Sequence, residues 1–309
     1  MNYVDKNFNW LINEIENKSF DEIFLHIKDK FNSLPTEIKD SIQKFLNEFP
    51  YWGKLDYQNN EYEEITNKTI SLKEHIEDYK WLYNNLNDYR SKKLLFSILY
   101  NWYDYDFNNL KSLMDNTYCH YFDLDILKCH NETFVDVGAY IGDTTLDFIN
   151  SYQNYKNIYC YEITDNIYQI LLKNTSKYPN IKCIKKAVSD KKEILKMNFS
   201  NIDNSANNIS NNGNTEIEAI SLDEDIKEKI TLIKMDIEGY EQKAIIGASK
   251  HIKEDHPKLL ISVYHNHEDL WKIPRMIDKI SPGYHFYLRY YGNYLFPTEI
   301  VLFGIYEEK

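Results

Sequence analysis

The stretch Thr133-Phe-Val-Asp-Val-Gly-Ala-Tyr-Ile-Gly-Asp-Thr-Thr145 decides how this chain folds. Residues 133–137 are mostly β-branched or aromatic, which predicts a buried strand. Gly138 and Gly142 end that strand in a turn, and the residues after Gly142 have the pattern of a helix. A strand, a glycine turn and a helix N-terminus together form the small-molecule sites of α/β sheets. The stretch therefore predicts an α/β protein with a ligand site at this turn.

The chemistry of the turn favours a cationic ligand over a dinucleotide. A dinucleotide loop has the pattern Gly-x-Gly-x-x-Gly, but the second and third glycine positions counted from Gly138 hold Tyr140 and Asp143. Tyrosine crowds the backbone, and a carboxylate at a helix start repels a pyrophosphate. S-adenosylmethionine instead carries a sulfonium and an ammonium group, which suit the acids Asp136 and Asp143. The alternative is an ordinary strand–turn–helix in which Asp143 or Thr144 caps the helix.

Composition and charge restrict the classes of partner. The 309 residues include 48 acidic and 36 basic side chains, so the formal net charge is −12. An acidic chain is repelled by phosphate backbones, and the sequence has no basic patch, so a nucleic-acid acceptor is not expected. The four cysteines have no Cys-x-x-Cys spacing and are predicted to be reduced, mostly buried thiols rather than zinc ligands. Without a signal peptide or a membrane-spanning apolar run, the chain is expected to be cytoplasmic.

Residues 1–125 are predicted to form an all-helical domain. Apolar side chains recur there at helical spacing, and many of them are aromatic. We interpret these stripes as core, with a lid or a dimer surface as the alternative; the sequence leaves the oligomeric state open, a homodimer included. The polar, unperiodic segment 50–68 is predicted to be a loop. Two capping boxes are predicted to open helices, Ser19 with Glu22 and Ser71 with Glu74.

Residues 126–309 alternate between strand and helix patterns, which predicts a parallel sheet. Beyond residues 133–137, strands of this sheet are predicted at 158–162, 181–185, 232–235, 258–264, 284–290 and 299–306. Two shorter strands, 194–199 and 216–220, flank an Asn-rich segment that is predicted to be either disordered or a mobile flap over a site. The chain is thus predicted to contain two domains, with the boundary between residues 125 and 126.

Acids at the carboxyl ends of the second and third strands are candidates for binding the adenosine part of the cofactor. Glu162 follows Gly142 by 20 positions (162 − 142), and an acid there can bind both ribose hydroxyls. Asp190, after the third strand, could accept a hydrogen bond from an adenine amino group. The alternatives are a solvated strand-end acid and a plain turn. The residues assigned to the cofactor are Asp136, Gly138, Tyr140, Gly142, Asp143, Thr144, Glu162, Asp190 and Asp236.

The fourth and fifth strands end in the residues assigned to catalysis, Asp236, Glu238 and His265. Alternation places the two acids on one side of the chain, where they can bind substrate hydroxyls, hold a metal or act as a base; capping of the next helix is the alternative. A neutral imidazole at His265 suits proton abstraction. We therefore predict that the three side chains form one cluster, with His265 as the general base. The competing hypothesis is a divalent metal, magnesium or manganese, held by the same three side chains.

Several spaced motifs resemble one protein family. They are Val135-Asp-Val-Gly-Ala-Tyr-Ile-Gly-Asp-Thr144, Leu232-Ile-Lys-Met-Asp-Ile-Glu-Gly-Tyr-Glu241, Ser262-Val-Tyr-His-Asn-His-Glu-Asp-Leu-Trp-Lys-Ile-Pro274 and Tyr287-Leu-Arg-Tyr290, with Ser91-Lys-Lys and Tyr121-Phe-Asp-Leu-Asp125 upstream. This set resembles the FkbM family of S-adenosylmethionine-dependent methyltransferases. The resemblance implies a Rossmann-like class I methyltransferase fold, a mostly parallel seven-stranded sheet with one antiparallel strand. It also implies S-adenosylmethionine as cofactor and O-methylation of sugars or other small-molecule hydroxyls.

Three functions are compatible with these observations. The first is O-methylation of a sugar, a glycan or a small-molecule hydroxyl. The second is N-methylation of an amino group on a glycan or a modified amino acid, and only the acceptor separates it from the first. The third is a non-catalytic scaffold with a degenerate cofactor pocket, against which the intact Asp136, Gly138, Gly142 and Glu162 argue. The sequence lacks the Asn-Pro-Pro-Tyr and Asp-Pro-Pro-Tyr boxes of enzymes that methylate base amines.

Overall fold

The computed structural model describes residues 2–198, 208–209, 215–292 and 295–307. The predicted Asn-rich flap therefore lies outside the described residues, apart from 208–209. The chain divides into two compact units. The first comprises residues 1–115, 263–275 and 286–301, and the second comprises 116–262, 276–285 and 302–309. Two segments from the C-terminal third thus belong to the unit that holds the N-terminal helices, while the predicted domain boundary at 125/126 stays a prediction.

The N-terminal part of the first unit is helical, as the apolar periodicity predicts. Phe8, Leu11 and Ile15 are buried along one face of the first helix. The capping box of Ser19 and Glu22 is confirmed, because each residue accepts a backbone N–H from the other. The elements in chain order are α1 (Tyr3–Glu16), α2 (Phe20–Ser33), α3 (Thr36–Glu48), a 3₁₀ turn (Pro50–Trp52), β1 (Leu55–Asp56), β2 (Glu61–Tyr62), α4 (Glu63–Glu74), α5 (Ile76–Asn85), α6 (Tyr89–Asp104) and α7 (Phe107–Lys111).

Two predictions for this part of the chain are wrong. Segment 50–68 is not a loop, because it contains the antiparallel pair β1–β2 and the first half of α4. Its polar side chains hid the helical periodicity: Glu64 and Lys68 are buried as an ion pair of 2.6 Å. The second capping box is also wrong, because Ser71 lies inside α4 and its hydroxyl contacts that of Tyr79 at 2.5 Å.

The remaining elements alternate between strand and helix, as predicted. They are β3 (Glu132–Val137), α8 (Asp143–Tyr152), β4 (Tyr155–Tyr161), α9 (Asp165–Thr175), β5 (Ile181–Ile184), β6 (Ala187–Val188), β7 (Glu193–Asn198), β8 (Asn208–Ile209), β9 (Thr215–Ile220), α10 (Leu222–Asp225), β10 (Leu232–Met235), α11 (Glu241–Gly247), α12 (Ser249–Glu254), β11 (Lys258–Ser262), α13 (Asp269–Ile280), β12 (Tyr284–Tyr290) and β13 (Ile300–Tyr306). A smaller sheet has the order β6-β9-β7-β8.

The large sheet has seven strands in the order β12-β13-β11-β10-β3-β4-β5. The run from β11 to β5 is parallel throughout. Its central strands β3 and β10 are buried along their whole length, as expected for a sheet covered on both faces. This mostly parallel seven-stranded sheet confirms the predicted class I methyltransferase fold. Within the described residues, no helix has the length and hydropathy needed to cross a bilayer.

The predicted cap of α8 is wrong in detail. Gly142, not Asp143 or Thr144, occupies the N-cap position, and a glycine has no side-chain acceptor for the N–H groups of the first turn. Gly142 has φ +86°, a left-handed conformation that glycine adopts without strain. The entry to the helix is therefore set by backbone geometry, and Asp143 becomes the first helical residue.

Two of the motifs that carry the family resemblance meet inside the first unit. Arg289, on β12, is buried and donates to the carboxylate of Asp88 at 2.8 Å and to the hydroxyl of Ser91 at 3.1 Å. The same hydroxyl accepts the backbone N–H of Leu288 at 2.9 Å. Because Asp88 also caps α6 through the Ser91 N–H, these residues fasten α6 to β12. In the structure these residues thus link a helix to a strand.

Candidate functional site

The glycine turn after β3 lies against the backbone of Asp236. Gly138 has φ +78°, and a Cβ added to it would lie 1.9 Å from the carbonyl oxygen of Asp236. The N–H groups of Gly138 and Ala139 both donate to the carbonyl of Tyr161 at the end of β4, at 3.0 and 2.9 Å. Tyr140 also has a positive φ of 47°, and its side chain is 44% exposed. The turn is therefore held from both sides by the ends of β4 and β10.

Glu162 fixes the same turn from the end of β4. Its carboxylate accepts the backbone N–H of Tyr140 at 3.1 Å on Oε2, and those of Ile163 and Thr164 at 2.8 and 2.7 Å on Oε1. Burial raises the pKa of Glu162, and these N–H donors offset part of the rise. A carboxylate has about four acceptor sites, so Oε2 keeps capacity for a further donor. Glu162 is thus both a support of the turn and an acceptor beside it.

Asp136 lies beneath the turn and is fully buried. The Lys234 Nζ lies 3.2 Å from its Oδ1, and Thr145 donates a hydrogen bond of 2.7 Å to its Oδ2. Lys234 also donates to the carbonyl oxygen of Gly138 at 2.7 Å. Burial lowers the pKa of Lys234, but the charges of Asp136 and Asp236 outweigh burial and raise it. A charged lysine therefore ties the base of the turn to β10.

The side chain of Asp236 is held by a tyrosine that precedes β3. The hydroxyl of Tyr121 donates to Asp236 Oδ2 at 2.6 Å and lies 3.2 Å from the hydroxyl of Ser262 at the end of β11. The ring of His120 stacks on that of Tyr121, with centroids 4.0 Å apart. Burial lowers the pKa of His120 to about 4, so its imidazole is neutral at pH 7.

The other acids differ in their surroundings. Glu238 has φ +56° and lies outside any strand, so the alternation argument that placed it beside Asp236 does not apply. Glu241 is buried, accepts the N–H of Ile237 at 2.7 Å, and has a carboxylate oxygen within 4.8 Å of one on Asp236. Asp143 is exposed, and Thr144 is half-buried. Asp190 accepts a hydrogen bond of 3.0 Å from Ser189.

His265 belongs to the first unit, where aromatic rings surround it. Its ring is 1% exposed and lies 5.4 Å from that of Tyr51 and 4.2 Å from that of Tyr264, centroid to centroid. Trp52 donates a hydrogen bond of 2.9 Å to the carbonyl of Tyr264 and so holds this segment. Asp236 and Glu238 belong to the second unit, and the predicted cluster of the three residues stays a prediction.

The sequence pattern of methyltransferase FkbM domains matches residues 136–293. That is 158 residues (293 − 136 + 1), more than half of the 309 in the chain. The chain belongs to the FkbM methyltransferase family. The matched region begins at Asp136 and therefore contains the glycine turn, Glu162, Lys234 and Asp236. The resemblance inferred from the motifs is confirmed.

Solved structures agree with this assignment at the level of the fold. The crystal structure of a methyltransferase FkbM from Methylobacillus flagellatus KT has a TM-score of 0.68 and 22% sequence identity, and the alignment covers 85% of this chain. This chain spans 65% of the length of that protein. An identity of 22% shows a shared fold and nothing finer. No curated protein matches the chain in sequence.

Two more distant structures match a smaller part of the chain. An rRNA methylase from Streptococcus thermophilus has a TM-score of 0.38 and 14% identity, covering 58% of this chain and 89% of that one. Aeropyrum pernix fibrillarin, solved with natively bound S-adenosyl-L-methionine, has a TM-score of 0.35 and 12% identity, covering 57% of this chain and 67% of that one.

Three residues of the candidate site were not predicted from the sequence: His120, Tyr121 and Lys234. Lys234 left a signal, because it is the one charged residue in the apolar strand Leu232-Ile-Lys-Met235 and a buried charge needs a partner. Tyr121 lay in a motif of the family resemblance, but nothing local indicated its contact with Asp236. His120 left no signal beyond its residue type.

The residues present fit S-adenosylmethionine. Gly138 lets the turn pack against the carbonyl of Asp236, which occupies the place of a Cβ, and Glu162 Oε2 accepts from the turn with acceptor capacity left. The carboxylate of Glu162 beside the turn suits a cationic ligand and opposes a pyrophosphate, whereas the charge of Asp136 is compensated by Lys234. In the part of the chain that the structure describes, Asp236 and Glu241 are the acids whose oxygens could share a metal, and a divalent metal stays the competing hypothesis.

Proposed function

We propose that the chain transfers a methyl group from S-adenosylmethionine to a hydroxyl of a sugar, a glycan or another small molecule. The observation that carries the proposal is the Glu162 carboxylate, which three backbone N–H groups fix beside the glycine turn in an FkbM domain. S-adenosylmethionine supplies a methyl group already activated on a sulfonium. The chain's own residues then have two tasks: to align the acceptor with that methyl group and to take up the proton of the acceptor.

Glu162 and Lys234 serve the cofactor end of the site in this proposal. Glu162 Oε2 accepts one N–H and keeps a lone pair for a ribose hydroxyl. Lys234 holds the carbonyl of Gly138, so the turn keeps the conformation that lets a ligand approach its backbone. Asp136 is fully buried, and we assign it to supporting Lys234 and Thr145 rather than to touching the cofactor.

His265 serves the acceptor end in this proposal. A neutral imidazole can take a proton from a hydroxyl as the methyl group is transferred. The half-buried rings of Tyr51 and Tyr264 beside it offer flat apolar faces of the kind that line small-molecule sites. Asp236 and Glu238 would orient the acceptor. The net charge of −12 supports a small-molecule or glycan acceptor over a nucleic acid.

Glu162→Ala is expected to weaken binding of S-adenosylmethionine by about 1.5–3 kcal/mol, because a charged acceptor of a ribose hydroxyl is lost. Isothermal titration calorimetry on both proteins measures the difference. Glu228→Ala is the matched control, since Glu228 accepts from the side chains of Asn157 and Tyr159 on the same strand and should leave the affinity unchanged.

Circular dichroism at 20–60 °C checks the fold of each variant, because Glu162 also holds backbone amides. NAD is titrated into the wild type as a second ligand in the same calorimetric experiment, and we expect no saturable binding of NAD. Wild-type protein with a normal spectrum that fails to bind S-adenosylmethionine contradicts the proposed function. A Glu162→Ala variant that is folded and binds as tightly as wild type contradicts the role of Glu162 alone. Mass spectrometry of methylated acceptors then separates O- from N-methylation.

A further inference from the structure

Cys160 and Cys183 lie directly opposite each other on neighbouring parallel strands. They are register partners on β4 and β5. Neighbouring strands are about 4.8 Å apart, and opposed residues point to the same face of the sheet. That separation falls within the Cα–Cα range of roughly 4.4–6.8 Å that a disulfide spans. Each thiol also shifts the pKa of the other. The register and the usual strand spacing therefore allow a bridge between the two cysteines.

The two thiols differ in exposure and in chemistry. Cys160 is fully buried, whereas Cys183 is half-buried and can be reached from solvent. The neighbouring Cys160 lowers the pKa of the Cys183 thiol to about 7, against the effect of burial, and the hydroxyl of Thr175, 3.4 Å from its sulfur, lowers it further. The neighbouring Cys183 and burial raise the pKa of Cys160. Cys183 is thus suited to attack, and Cys160 to act second.

We propose that Cys183 is a site of modification by small-molecule disulfides and that Cys160 resolves the adduct into a disulfide between β4 and β5. In the first step the Cys183 thiolate attacks one sulfur of the disulfide RSSR, forming a mixed disulfide and releasing RS⁻. In the second step Cys160 loses its proton and its sulfur displaces the other RS⁻ from Cys183. The protein dithiol is oxidised, and one RSSR is reduced to two thiols.

The pair is connected to the glycine turn through Thr145. The Thr145 hydroxyl lies 3.3 Å from the sulfur of Cys160 and donates to the buried carboxylate of Asp136. Closing the disulfide draws the Cys160 sulfur towards Cys183 and away from Thr145. This step rests on the proposed function. We expect the protein with the closed disulfide to bind S-adenosylmethionine about three- to tenfold more weakly, because one hydrogen bond is lost or weakened.

The test treats the full reduced chain with oxidised glutathione at several pH values and follows it by intact mass and by peptide mass after digestion. We expect a loss of two hydrogens and a peptide pair joined through Cys160 and Cys183. At pH 7 Cys183 should react about fivefold faster than the exposed Cys119, with a rate that rises with pH and levels off above about 7. Cys160→Ala should stop at a glutathione adduct on Cys183, and Cys183→Ala should form no internal disulfide.

Two results would overturn the proposal: reaction of Cys183 no faster than that of Cys119, or a glutathione adduct that persists on Cys183 in the wild type. The mass readout needs no cofactor, so it is independent of the proposed function. Calorimetry of the closed form and of the form reopened with dithiothreitol tests the link to the turn. Equal affinity of the two forms refutes that link, and absence of binding in the reduced protein refutes the proposed function instead.

Discussion

Lys234→Met is expected to lower the free energy of unfolding by about 3–5 kcal/mol, because it leaves the buried carboxylate of Asp136 without its cationic partner. The variant also removes the hydrogen bond to the carbonyl of Gly138. Urea denaturation followed by circular dichroism measures the change. We expect the urea concentration at the midpoint of unfolding to fall. The slope of the free energy of unfolding against urea concentration should stay the same, since the surface exposed on unfolding does not change.

An exposed ion pair supplies the control for this prediction. Lys156 pairs with Glu228 at 2.7 Å and is 55% exposed, so Lys156→Met should cost less than about 1 kcal/mol. The double variant Asp136→Asn with Lys234→Met removes the stranded charge and should recover part of the loss, giving a coupling of about 1–3 kcal/mol. If Lys234→Met costs no more than Lys156→Met, the buried ion pair does not hold the base of the turn.

The strand–helix order was predictable from sequence because it depends on local patterns. The strand before Gly138 and the strand before Asp236 consist of apolar residues that fit a sheet covered on both faces. Their adjacency in the sheet follows from the family resemblance rather than from the residues. The close approach of Gly138 to the Asp236 carbonyl shows why glycine stands there, but no local pattern reveals what it approaches.

Errors arose where tertiary contacts reverse a local signal. Glu64 and Lys68 have the residue types of solvent-facing positions, yet they are buried as an ion pair on α4. Asp143 has the residue type of a helix cap, but the left-handed Gly142 already sets the helix entry. The contact between Tyr121 and Asp236 joins positions 115 apart, a separation at which sequence spacing carries no information.

Glu162 shows how far the site itself could be predicted. Its position after β4 and its place beside the glycine turn followed from the sequence. Its three backbone N–H partners did not, because one of them depends on Tyr140 taking a positive φ that a tyrosine rarely adopts. The same tyrosine stands at the second glycine position of the dinucleotide pattern Gly-x-Gly-x-x-Gly. The departure from the pattern is thus accommodated by backbone conformation, with the side chain directed to solvent.

His265→Ala is expected to lower the turnover of S-adenosylmethionine with a hydroxyl acceptor about 10²–10⁴-fold, the usual contribution of a general base. Cofactor affinity measured by calorimetry should stay intact. Initial rates at saturating cofactor and acceptor give the comparison. His285→Ala is the control, because His285 is partly exposed and pairs with Glu307 at 3.6 Å, so its loss should leave turnover unchanged. Added imidazole should restore part of the activity of His265→Ala and should not change that of His285→Ala.

Two other accounts of the acceptor side make different predictions for the same assay. If a divalent metal is held by Asp236, Glu238 and His265, a chelator abolishes turnover of the wild type and added magnesium or manganese restores it; with His265 as base, the chelator has no effect. His120 is a buried, neutral imidazole that stacks on Tyr121, the partner of Asp236, but a pKa of about 4 makes it a weak base, so His120→Asn should cost less than His265→Ala. If His120→Asn loses more turnover than His265→Ala and the latter is fully active, then His120 is the general base. His265 is in that case neither the general base nor a metal ligand.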